Sequence, residues 1–137
     1  IYQKTKYYNG FIPFKIRKKL QKREVVYPEV DPVQRRAFEE LLNDFDRDGI
    51  KVIFVQMPGY LYARDGEKGL KNLELLKGIA QKRGIPFLDY EIERISSVNT
   101  NPDLFADWIH MSEKGSEVFS KLLKQDLEAL LNGEQKR

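Results

Sequence analysis

The chain has 137 residues, 41% of them hydrophobic and 33% charged, with a formal net charge of +3; that is one domain, or most of one, able to bury a real core. It contains no cysteine, which excludes disulfides, thiolate metal sites and a cysteine nucleophile, and its single histidine argues against a zinc centre. No apolar run approaches the roughly 20 residues needed to cross a bilayer.

The modest net charge hides an asymmetry. Residues 1–36 carry ten Lys/Arg against three Asp/Glu, and the remainder carries fourteen against eighteen. Lys15, Arg17, Lys18, Lys19, Lys22 and Arg23 form the basic cluster. Such a run reads first as a solvated face, and second as a patch for a polyanion or anionic lipid. Tyr2, Tyr7, Tyr8, Phe11 and Phe14 lie near it. A nucleic-acid surface would interleave stacking aromatics with cations, but these rings equally suit packing, so no clear nucleic-acid signature results. Residues 1–32 are therefore read as a basic, aromatic-rich segment preceding the α/β part, 33–137.

Asp31-Pro32 marks a helix start, because proline's missing N–H has no partner in the first turn anyway. Val33, Ala37, Leu41, Leu42 and Phe45 recur at helical spacing and predict the inner face. Asp48-Gly49 ends this helix. The β-branched run Ile50–Val55 predicts a strand buried on both faces, stopped by Met57-Pro58-Gly59. A second helix is expected over about 67–83, with Leu70, Leu73, Leu76, Ile79 and Ala80 inward and Arg83-Gly84 closing it. Ile85–Asp89 reads as another short strand. Residues 90–109 read as a long loop with about one helical turn. The last helix is expected over 113–131, capped by Ser112, with Val118, Phe119, Leu122, Leu123, Leu127 and Leu131 inward.

This order is an α/β pattern, and a βαβ unit implies a parallel strand pair. Two or three strands do not complete a doubly wound sheet, so the chain is expected to be the C-terminal part of a larger one. Folds of this kind bind ligands beyond the C-terminal ends of their strands. Residues 56–62 and 89–110 leave those ends. The second loop carries Asp107 and His110, three residues apart, directly before a helix. A carboxylate bonded to one ring nitrogen fixes the tautomer of a histidine, and the other nitrogen then serves as a base. The alternatives are a histidine that caps the helix or packs at the surface, and Asp89 or Asp103 in place of Asp107 as its partner.

The block Asp107-x-x-His110-Met111-Ser112-x-x-Gly115, followed by an amphipathic helix, resembles the last conserved block of the GDSL-type (SGNH) hydrolases. The order of elements before it is similar too, so the likeness spans roughly residues 33–131. The resemblance implies a flavodoxin-like three-layer α/β/α sandwich, incomplete in this chain. It implies cleavage of acyl esters on small molecules, glycans or lipids, with His110 as general base, Asp107 as its orienting acid, and no metal or cofactor. Relatives of this kind often work outside the cytoplasm or on the cell envelope. The family's nucleophilic serine, in a Gly-Asp-Ser-like block, and its oxyanion-hole glycine and asparagine have no counterpart here. Ser112, Ser116 and Ser120 read as cap and helix residues, leaving Ser96 and Ser97 as remote candidates. Either the chain is a degenerate domain without hydrolase activity, or, as the incomplete sheet favours, it is a C-terminal portion, inactive by itself, that packs against a missing N-terminal half.

Gln56, Tyr60, Tyr62 and Arg64 follow the first strand and are candidates for lining a substrate pocket, with plain loop surface the alternative; Trp108 either walls the site or, as packing favours, anchors the loop in the core. The competing function is a non-catalytic α/β module that binds a partner or polyanion through its basic N-terminal segment.

Overall fold

The computed structural model describes residues 29–60, 67–91, 96–107 and 109–133, apart from the side chains of 67–70 and 96. The basic cluster, Tyr62, Arg64 and Trp108 lie outside the described residues. The described residues form two compact units, 29–58 with 67–91 and 96, and 59–60 with 97–107 and 109–133.

The first unit is built from α1 (Pro32–Arg47), β1 (Phe54–Gln56), α2 (Glu67–Arg83) and β2 (Phe87–Asp89). Asp31 caps α1 by accepting hydrogen bonds from the Val33 and Gln34 amides at 2.7 and 3.4 Å. Both helices stop in the same way. Gly49 (φ 69°) and Gly84 (φ 68°) take the left-handed conformation. The amides of Ile50 and Ile85 then reach back to the carbonyls of Phe45 and Ala80, each at 2.8 Å. This is the glycine-terminated helix end that satisfies otherwise orphaned carbonyls. In both cases the turn delivers the chain towards a strand.

The strands pair in parallel, with Phe54 opposite Phe87, Val55 opposite Leu88 and Gln56 opposite Asp89. The helix between them makes a βαβ unit, as the sequence order implies. β1 is shorter than the run Ile50–Val55 predicts and is only half-buried. Its length follows the three-residue partner strand rather than the apolar run, and Ile50 is half exposed.

The inner face of α1 also differs from the expectation. Leu42 is buried, but Val33 is 72% exposed and Leu41 46%. Phe38 takes their place, with its ring centroid 5.8 Å from that of Phe54, which in turn meets Phe87 edge-on at 6.1 Å. The helix therefore turns the line Phe38–Leu42–Phe45 inward, and Val33–Ala37–Leu41 faces out. On α2, Leu73, Ile79 and Ala80 are buried as expected and Leu76 is half-buried.

Arg83, in the last turn of α2, clamps the two helices. Its guanidinium donates to Asp46 Oδ2 at 2.9 Å, Asn43 Oδ1 at 2.6 Å and the Glu39 carbonyl at 3.3 Å. Its side chain is 22% exposed, so these bonds are partly shielded from water. Arg83→Ala is expected to lower unfolding free energy by about 1–2 kcal/mol. Arg83→Lys should recover only part of this, because an ammonium lacks the planar fork with which the guanidinium reaches three separate acceptors. Urea titrations of the three proteins check both statements.

The second unit holds most of α3 (Ser96–Asn99), a 3-10 turn at Pro102–Leu104 and α4 (Glu113–Leu131). Leu104, Phe105, Ala106, Met111 and Phe119 are buried. Val118, Leu122, Leu123 and Leu127 are half-buried, while Leu131, predicted to face inward, is 70% exposed in the final turn of α4. No described helix is long and apolar enough to cross a membrane.

Candidate functional site

The loop that carries Asp107 and His110 is tied at its base and at its tip. Phe105 and Met111 form an antiparallel bridge. Inside it, the Ala106 amide donates to the His110 carbonyl at 2.8 Å. At the tip, Asp107 Oδ1 accepts from the Ile109 and His110 amides at 3.0 and 2.8 Å. This local turn is what aspartate favours over most residues, because its short side chain reaches amides two and three positions on.

The same carboxylate faces the imidazole. His110 Nδ1 is 2.9 Å from both Asp107 oxygens. A carboxylate only accepts, so this contact places the proton on Nδ1 and leaves Nε2, across the ring, as the basic nitrogen. The His110 side chain is 48% exposed and that of Asp107 29%.

Helix α4 anchors the loop from the other side. Ser112, not His110, is the cap, with its Oγ accepting from the Gly115 amide at 3.1 Å. That hydroxyl also donates to the Asp103 carbonyl at 2.9 Å, and the Ser112 amide donates to the Leu104 carbonyl at 2.9 Å. Gly115 is buried against Leu104, where any side chain would collide with the backbone. The residues of the motif thus divide in role. Asp107 and His110 form the polar pair, while Ser112 and Gly115 fix the strap that holds it.

Partial burial alone would raise the pKa of Asp107. The hydrogen bonds from the His110 ring and from the His110 and Ile109 amides outweigh it and hold the carboxyl below its ordinary value. A carboxyl depressed on folding stabilises the loop above its unfolded pKa, and that contribution disappears as pH falls through the folded value. Carbon-13 NMR of the Asp107 carboxyl is expected to give a midpoint below that of an unperturbed aspartate. In His110→Ala the midpoint should move upward, and an unchanged midpoint would show that the ring does not hold the carboxylate.

The other candidates fall in different places. Tyr60 is half-buried, its ring 5.7 Å from that of Phe105 in the same unit as the pair. Gln56 belongs to the first unit, where its amide donates to Glu91 Oε2 at 3.1 Å. Asp89, the alternative partner of His110, also lies in the first unit. It is engaged there by Lys77 at 2.8 Å and by the Glu91 amide at 3.0 Å. Asp103 is exposed and contributes its backbone carbonyl to Ser112.

Sequence reasoning passed over Lys77 and Glu91. Lys77 also sits 5.7 Å over the Phe87 ring, and Glu91 is 4% exposed. Lys77 depends on α2 meeting β2, and Glu91 on β1 lying beside β2, and no local pattern announces either. Among the described residues no group of His, Asp or Glu is arranged to hold a metal ion.

Comparison with protein-family models, curated proteins and solved structures found no match.

Proposed function

We propose that this chain is the C-terminal portion of a serine acyl-ester hydrolase of the SGNH type and supplies its His-Asp pair. The observation that carries this reading is the doubly anchored contact of His110 Nδ1 with Asp107, 2.9 Å from each carboxylate oxygen. In the proposed reaction His110 Nε2 takes the proton of a serine hydroxyl as that oxygen attacks the ester carbonyl. It then returns the proton to the departing alcohol. Asp107 keeps the ring oriented and balances the charge of the imidazolium. Water releases the acyl group in a second cycle through the same nitrogen.

The nucleophilic serine and the oxyanion donors are assigned to sequence outside residues 1–137. Ser112 and Ser116 support this, since the first caps α4 and the second lies in its first turns. The parallel β1–α2–β2 unit fits the C-terminal part of a flavodoxin-like α/β/α sandwich. Ester-bearing glycans or lipids of the cell envelope are the proposed substrates. Tyr60, packed beside Phe105, is the described candidate for a wall of the acyl site.

The coding frame upstream of Ile1 tests the reading. A Gly-Asp-Ser-like block after an apolar strand, within about one to two hundred residues, is the expected result. A start codon a few residues upstream with no such block would overturn it. The competing reading, a polyanion-binding module, would then gain from the excess of ten basic over three acidic residues in the first 36. Its mark would be salt-sensitive binding that disappears when Lys15 to Arg23 are neutralised.

A further inference from the structure

Helix α2 has a glycine near its middle that neither its own turn nor its neighbours require. Gly78 is exposed, has no left-handed backbone conformation, and a Cβ built on it would meet nothing within 4 Å. Glycine is the least helix-favouring residue after proline, so the position forgoes stability that alanine would supply without a clash. The space above it is the floor of a groove of about 480 Å³. Arg35, Glu39 and Asn43 of α1 flank this groove on one side, and Glu74 and Lys82 lie at the two ends of its α2 side.

The charges on α2 are symmetric about the glycine. Glu74 precedes Gly78 by four residues and Lys82 follows it by four, so all three share one exposed row of the helix. Neither Glu74 nor Lys82 makes an ion pair among the described residues, although Lys82, after Arg35, helps to hold the Glu39 carboxyl of α1 below its ordinary pKa. Each lies about 6 Å along the axis from Gly78, in opposite directions.

We infer that this row of α2 is a self-association surface, and that its occupant is helix α2 of a second copy of this chain, crossing antiparallel at Gly78. A twofold axis through the glycine brings Glu74 of each copy opposite Lys82 of the other, forming two equivalent ion pairs. A parallel crossing would instead place Glu74 against Glu74 and Lys82 against Lys82, so the charge order selects the antiparallel one. The absent side chain lets the two backbones approach more closely than the usual 8–10 Å separation of packed helices. That approach brings the charged ends within reach of each other. This surface is independent of the Asp107–His110 reading.

Sedimentation velocity over roughly 1 µM to 1 mM protein tests the inference. The expected result is a reversible monomer–dimer equilibrium. Gly78→Leu should abolish the dimer without lowering the melting temperature of the monomer, since leucine favours helix and a Cβ at this position meets nothing within 4 Å. Glu74→Lys and Lys82→Glu should each weaken association about tenfold or more, by turning both pairs repulsive. The double variant E74K/K82E should restore it, and an equimolar mixture of the two single variants should form a heterodimer. A protein that stays monomeric over the whole range overturns the inference. So does a dimer that tolerates Gly78→Leu, or one whose affinity ignores the charge reversals.

Discussion

In the protein expressed from its complete reading frame, His110→Ala is expected to lower kcat for ester hydrolysis by roughly a thousandfold or more, with little change in KM. In the proposed mechanism His110 acts in proton transfer, which is realised in the transition state, and contributes little to holding the ground-state ester. Asp107→Asn should have a smaller but still large effect, roughly a hundredfold or more. An amide keeps the hydrogen bonds to the Ile109 and His110 backbone available through its oxygen. It can also turn its NH2 towards Nδ1, which would stabilise the wrong tautomer and put the proton on Nε2. Steady-state kinetics on a short-chain aryl ester measure both. Unchanged hydrolysis in His110→Ala would remove the residue from the chemistry.

The second large effect concerns Gly115. A methyl group at this position would lie on the Leu104 carbonyl oxygen, 2.8 Å from the carbonyl carbon and 3.1 Å from Leu104 Cα. These are backbone atoms, held by the Ser112 amide bond to the same carbonyl, so no side-chain rotation relieves the collision. Gly115→Ala is expected to destabilise the protein by about 3 kcal/mol despite alanine's better helix propensity. By contrast Gly78→Ala, in open space within α2, should be neutral or stabilising to the monomer. Calorimetric melting of the two variants separates a glycine needed for close approach from one that is not. If both raised the melting temperature, the packing of α4 on Leu104 would be wrong. Because that packing anchors the strap of the Asp107–His110 loop, Gly115→Ala should also disturb the pairing. The Asp107 carboxyl would then titrate nearer its ordinary value.

The starts of α1 and α4 and the ends of α1 and α2 were legible because they are written in local chemistry. Asp31-Pro32 and Ser112 announce starts, and Gly49 and Gly84 announce ends followed by an isoleucine that enters the next segment. Which face of α1 turns inward was not legible. Val33–Ala37–Leu41 and Phe38–Leu42–Phe45 both satisfy helical spacing, and only the Phe38–Phe54 contact distinguishes them. The extent of β1 was misjudged for a related reason, since an apolar run states what can be buried and the partner strand decides what is paired.

At the candidate site, the proximity of Asp107 to His110 follows from a three-residue spacing that a tight turn can close. The need for glycine at position 115 follows from Leu104, a residue eleven positions earlier whose carbonyl no pattern marks. Lys77 and Asp89 likewise meet only through the tertiary approach of α2 to β2. Those contacts are tertiary, and a periodicity argument does not contain them.

The central claim is that Asp107 and His110 activate a serine. Labelling of the protein expressed from its complete reading frame with a fluorophosphonate, followed by mass spectrometry of the adduct, tests it most directly, because this reagent captures only a serine whose hydroxyl is being deprotonated. The account predicts one modified serine per chain, distinct from Ser96, Ser97, Ser112, Ser116 and Ser120, with modification lost in His110→Ala. A protein that is never modified, or one modified equally with and without the His110 imidazole, would contradict it.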